Sequence, residues 1–126
     1  MKIRGGIRIE GPKEFMGQIG WARQSHCWPC ASLVVDAESL ILQGPFVRLE
    51  IPKAAIRELI VARRPWTALR IVHNAQDIPE FVLFVMFKRR RLIDQMRANG
   101  YQLTEIDRIP SDWWNPRYES NRELLR

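Results

Sequence analysis

The stretch from Ala31 to Gly100 most constrains what this chain can fold into, because short apolar segments follow one another there and end in a single amphipathic helix. Leu33 and Val35 alternate with Val34, and Leu40-Ile41-Leu42 returns after the polar turn Asp36-Ala37-Glu38-Ser39 as the second arm of a hairpin. Gly44-Pro45 turns the chain again. Over residues 46–51, Val47, Leu49 and Ile51 share one face, and Phe46, Arg48 and Glu50 share the other, as in a sheet with one dry and one wet side. Pro52 ends that strand, Lys53-Ala54-Ala55 makes a short turn, and residues 56–62 read as a fourth strand. Leu69, Ile71 and His73 mark a fifth. Residues 81–87 are apolar on both faces, so they read as a central strand or one covered by the helix. The helix spans 89–99, with Leu92, Ile93 and Met96 as its apolar stripe. Gly100 stands where a left-handed cap is needed, with Tyr101 placed to pack back.

The flanks are less regular. Ile7 and Ile9 alternate with Arg8 and Glu10, which suits a short edge strand ending at Gly11-Pro12. Phe15, Met16 and Ile19 have helical spacing that Gly17 and Gly20 weaken, so one ragged turn is expected there. At the other end, Trp113-Trp114 implies a tail that docks on the body or on a partner, since exposed indole is costly. The predicted organisation is an N-terminal segment over 1–25 (edge strand or irregular), a β-rich body with one helix over 26–109, and a tail over 110–126.

Composition excludes several classes. At 126 residues with 46% apolar and 27% charged residues, the chain fits one globular domain with a core of useful size. Its net charge of +6 is dispersed, with +3 in residues 1–30, +2 in 31–75, +1 in 76–109 and a balanced tail. A dispersed excess gives weak attraction to polyanions and argues against a dedicated nucleic-acid stripe. No segment approaches the ~20 apolar residues that cross a bilayer. No apolar run follows Lys2 and Arg4 to make a signal peptide, so the cytoplasm is the expected compartment. Two cysteines do not make a disulfide scaffold.

The residues Cys30-Ala31-Ser32-Leu33-Val34-Val35, then Leu40-Ile41-Leu42, then 46–51 with Pro52, then Leu69-Arg70-Ile71-Val72-His73, and then 92–100 resemble the small bacterial pleckstrin-homology-like (PH-like) domains. The resemblance covers residues 26–103 and rests on element order and pattern. It implies a half-open antiparallel barrel of about seven strands plugged by the C-terminal helix, and non-enzymatic binding. Six strands are clear in the sequence. The seventh is expected from residues 3–10 or 19–24. One departure concerns the first hairpin loop, where phosphoinositide-binding PH domains carry cations. Here Asp36 and Glu38 occupy it and repel phosphate.

The motifs that could carry chemistry are few. Cys27-Trp28-Pro29-Cys30 has redox or metal-binding spacing, with His26 and His73 as further ligands. A redox dithiol needs a helix N-terminus, whereas this motif runs into a strand, and His26 and Cys27 point opposite ways in an extended chain. His73 reads as a structural histidine. No nucleophile elbow or phosphate loop is present, so neither enzyme activity nor a cofactor is expected.

Two surface patches remain. Lys88, Arg89, Arg90 and Arg91 crowd the helix N-terminus, where the backbone dipole disfavours cations, and this conflict points to an anionic partner. Arg63, Arg64 and Trp66 pair cations with an aromatic anchor. The sequence therefore predicts a protein-interaction or adaptor module, self-association included, that binds through a sheet edge, the 63–66 loop or the tail aromatics Trp113 and Trp114. The alternatives are a peripheral module on anionic membranes and a metal or redox protein using Cys27 and Cys30.

Overall fold

The computed structural model describes the backbone of residues 2–15, 18–45, 47–76 and 78–113, and the side chains of these residues outside 10–29. Seven strands precede the helix. They are β1 (Lys2–Phe15), β2 (Gln18–Val35), β3 (Ser39–Gln43), β4 (Arg48–Pro52), β5 (Ile56–Arg64), β6 (Thr67–His73) and β7 (Phe81–Met86). The helix α1 (Arg89–Ala98) follows, then β8 (Thr104–Arg108) and a 3-10 turn at Ser111–Trp113. The strands form one sheet in the order β4-β3-β2-β1-β7-β6-β5-β8. All neighbours are antiparallel except β5 and β8, which are parallel. The sheet curls around its core without joining β4 to β8, giving a β-rich half-open barrel with one helix.

The largest correction concerns the N-terminal segment. Residues 3–10, read as an edge strand, lie at the centre of the sheet, where residues 6–10 of β1 pair with β7 while the same strand pairs with β2. Ile3, Ile7 and Ile9 are buried in the main core, and Gly5 continues their inward-facing row. Glycine fits there because the Phe84 ring fills the space. A Cβ at Gly5 would lie 2.6 Å from Phe84 Cζ and would collide with the Val85 carbonyl oxygen. Residues 19–24 are also strand, in the first half of β2, so Phe15 and Ile19 sit in paired strands and not in a helical turn. Met16 lies outside the described residues.

The Cys27-Trp28-Pro29-Cys30 motif has a structural position that its spacing did not reveal. Gly5 pairs with Ala31 and Ile7 with His26, so four residues of β2 stand opposite Gly6 alone. The motif is the bulge of β2, which is where a strand tolerates proline.

β7 lies between β1 and β6, and both its faces are covered. Val82, Phe84 and Met86 join the main core with Leu92, Ile93 and Met96 of α1. Phe81 and Leu83 point the other way and pack with Ala62, Ala68, Ile109 and Trp113. The segment after β8 therefore crosses the outer face of the sheet. β8 itself was not legible in the sequence, because Thr104, Glu105, Asp107 and Arg108 are exposed and only Ile106 is partly buried, against this outer cluster.

The helix ends as its sequence predicts. Gly100 has φ 82°. Its N–H donates to Arg97 O and the Tyr101 N–H donates to Met96 O, the paired bonds of a Schellman cap. Tyr101 is buried, and its hydroxyl donates to the Asp36 carbonyl at 2.7 Å. Lys53 Nζ donates to Asn99 O and lies 4.5 Å above the Tyr101 ring. The acidic turn after β2 thus anchors the far end of the helix. Burial, then the charges of Asp36 and Glu38, push the Tyr101 phenol up to about 12.

In the unfolded chain Tyr101 ionises near 10.0, and in the folded chain it keeps its proton to about 12. Its contribution to stability is therefore complete below pH 10 and is lost as pH rises from 10 to 12. Urea unfolding across that range should show this loss, and Tyr101→Phe should remove that part of the pH dependence. Gly5→Ala should destabilise by about 1–3 kcal/mol through overpacking, and Trp113→Ala by about 3–5 kcal/mol through the void left on the outer face. Both are read from urea midpoints at constant slope.

Candidate functional site

β7 ends at Met86, and Phe87 and Lys88 link it directly to α1. Because Leu92, Ile93 and Met96 must enter the core, the helix turns across the barrel at once and leaves this junction at the surface. β1 runs alongside, since Gly6 pairs with Val85 and residues 2–4 continue past the end of β7. Between them lies a cleft of about 270 Å³. Ile3, Met86 and Phe87 form its apolar floor, and Lys2, Arg4, Lys88 and Arg91 form its rim. Among the described residues no acid lines it. The first helical turn contains no acid and Lys88 makes no side-chain cap, so the helix dipole adds to the positive field.

The four cations that the sequence grouped together are separated by the helical rotation. Lys88 and Arg91 face the cleft. Arg89 turns towards β8, where Glu105 lies 4.0 Å from Arg89 Nη1 and 3.5 Å from Arg97 Nη2. Arg90 is exposed and lines a second, shallower hollow with Arg89, Asp94 and Arg97.

The second patch lies at the same end of the sheet. Thr67 pairs with Met86, so Trp66 just before it and Phe87 just after its partner flank one rung of the ladder. Trp66 is 39% exposed and Phe87 67%, the large exposed hydrophobics among the described residues. Arg63 and Arg64 end β5 beside them, ahead of the cis Arg64–Pro65 peptide. Arg64 Nε lies 3.6 Å from Asp107 of β8, an exposed pair worth little to stability. The fold thus joins the two sequence patches around an aromatic pair.

Lys2, Arg4 and Phe87 were missed by the sequence reading. Lys2 and Arg4 alternate with inward Ile3, a signal hidden when β1 was not recognised as a central strand. Phe87 read as the end of an apolar strand, but the strand stops one residue earlier.

The remaining candidates lie elsewhere. Trp113 is buried on the outer face of the sheet, packed with Phe81, Leu83, Ala62, Ala68 and Ile109. Trp114 lies outside the described residues. Cys30 is an exposed free thiol, and the side chain of Cys27 is outside the described set. Among the described residues no three His, Cys, Asp or Glu side chains gather as metal ligands. His73 Nδ1 accepts from Ala75 N–H at 3.1 Å. The proton therefore sits on Nε2, which donates to Pro79 O at 2.8 Å. Both ring nitrogens hold the β6–β7 connection.

No family model matches this chain, and no curated protein matches it.

The cleft sets stability against charge, and one substitution measures the conflict. Lys88→Asp supplies an N-cap acceptor and a favourable charge, so it should stabilise the fold by about 1 kcal/mol in urea unfolding. The same change should elute the protein from heparin at lower salt.

Proposed function

We propose that this chain is a non-enzymatic protein-interaction module of PH-like plan, acting in the cytoplasm, which docks an acidic protein surface at the β7–α1 junction. The observation that carries this reading is the placement of Trp66 and Phe87 together at one end of the sheet, beside a cleft rimmed by four cations. Aromatic side chains amid arginines are the composition of binding hot spots. The cations steer an acidic partner, and the aromatics supply contact area. Seven strands followed by a helix support the PH-like resemblance. The acidic turn after β2 is occupied in holding Tyr101, which supports a docking surface elsewhere than the first hairpin loop.

A second reading, attachment to an anionic membrane surface, draws on the same feature, since an exposed aromatic among cations also suits a headgroup layer. No helix among the described residues is long and apolar enough to cross a membrane.

The test uses a random glutamate–tyrosine copolymer as the acidic probe, followed by amide and indole NMR shifts. We expect changes confined to the Trp66 indole and the amides of residues 2–4 and 87–91. Phe87→Ala should weaken binding by about tenfold, or roughly 1.4 kcal/mol. Shifts elsewhere, or none, overturn the assignment. Sedimentation with anionic and zwitterionic vesicles at low and high salt is the companion experiment. Capture by anionic vesicles alone, weakened by salt and by Lys88→Glu, with no response to the copolymer, would replace the protein partner with a membrane.

A further inference from the structure

Both edges of the open sheet carry exposed, paired charges. On β8, Glu105 is engaged by Arg89 and Arg97, and Asp107 by Arg64. The β4 edge has no strand beyond it among the described residues. Its outer face carries Arg48 and Glu50, both exposed, while Leu49 turns to the other face and packs half-buried against the main core.

The hydrogen-bond parity of β4 follows from its pairing with β3. Leu42 pairs with Leu49 and Leu40 with Ile51. In the same register, Gly44 N–H donates to Val47 O and Lys53 N–H donates to Glu38 O. Bonded pairs alternate along an antiparallel ladder, so residues 47, 49, 51 and 53 direct their backbone groups to β3. The N–H and C=O groups of Arg48 and Glu50 therefore face the open edge. Pro52 shares that orientation and has no N–H to offer, which ends the available ladder after Glu50.

We infer that β4 is a self-recognition strand that pairs antiparallel with β4 of a second copy of this chain, about a two-fold axis at Leu49. Only this register pairs all the N–H and C=O groups of Arg48 and Glu50 with one another. Arg48 N–H donates to Glu50 O of the second copy, Glu50 N–H donates to Arg48 O, and the two-fold repeats both bonds. Directly opposed side chains share a face, so Arg48 meets Glu50 of the other copy twice, and Leu49 meets Leu49. The neighbouring registers that keep the bonding parity oppose Arg48 to Arg48 or Glu50 to Glu50, and like charges reject them. Within one chain Arg48 Nη1 lies 3.6 Å from Glu50 Oε2, and Ser39 Oγ donates to Glu50 Oε1 at 3.4 Å, so both charges stand on one face of β4, and pairing would exchange part of this contact for the same contact across the two-fold. The contact is closed, because a two-fold pairing uses the same edge of both copies, and it does not depend on the junction site proposed above.

Charge reversal tests it. By sedimentation equilibrium the native chain should associate as a concentration-dependent dimer. Arg48→Glu alone and Glu50→Arg alone each oppose like charges at both contacts, and each should weaken self-association by at least about tenfold. Mixing the two variants pairs acid with base at both contacts, so a heterodimer should form at native strength. The double swap Arg48→Glu/Glu50→Arg should dimerise as the native chain does. Circular dichroism identifies any variant that fails to fold, and the double swap keeps the test valid if one single variant does. A native chain that stays monomeric at every concentration overturns the inference. So do single reversals that dimerise undiminished, or a mixture that stays monomeric.

Discussion

The seam between β1 and β7 holds this architecture together. On one side lie β2, β3 and β4, and on the other β6, β5 and β8. The two groups meet through residues 6–10 of β1, and that approach requires Gly5 to yield its side-chain space to Phe84. A single side chain thus fills the volume of two positions, one ring in place of a ring and a methyl. The close-packed interior leaves no slack for a different division. Everything else follows from that closure. Ile3, Ile7 and Ile9 enter the core, the helix finds a barrel to plug, and the start of β1 is placed beside the end of β7 to build the cationic cleft.

How much of this was legible depended on whether each element carries its own pattern. β3 to β7 and the helix show alternation, apolar runs or an apolar stripe, and their positions follow from the sequence to within a residue or two. Gly100 was readable because a left-handed cap needs glycine whatever surrounds it. β1 was legible as a strand but not as a central one, because two adjacent glycines interrupt its pattern, and the reason for Gly5 lies in Phe84, some eighty residues away in the chain. β8 was hidden because a polar edge strand is held by the ladder of its neighbour and shows only one partly buried side chain. Trp113 could be read as a docking residue but not assigned to the body, since Ala62 and Ala68 create its seat only after β5 and β6 pair. The site followed the same rule. Its two halves were visible as separate patches, while Lys2, Arg4 and their adjacency to Phe87 depended on the central place of β1.

The helix N-terminus shows a local rule broken. A chain selected for stability alone would place an acid in that turn. Here the turn is cationic, and Glu105 lies between Arg89 and Arg97 of α1. The cleft at the junction is therefore lined by cations on a chain whose net charge is +6.

The position of the helix between β7 and β8 has a dynamic consequence. A helix that ended its fold could peel from the barrel as an independent flap, exchanging its amides through local fraying. This one is bolted at both ends. Its start continues from a central strand, and its finish is locked by Tyr101 onto the turn after β2 before the chain re-enters the sheet as β8. Lifting it would strip a parallel ladder and unseat Trp113 from the far face. Helix and barrel should therefore open as one cooperative unit, with the helix amides exchanging at the rate of the whole domain.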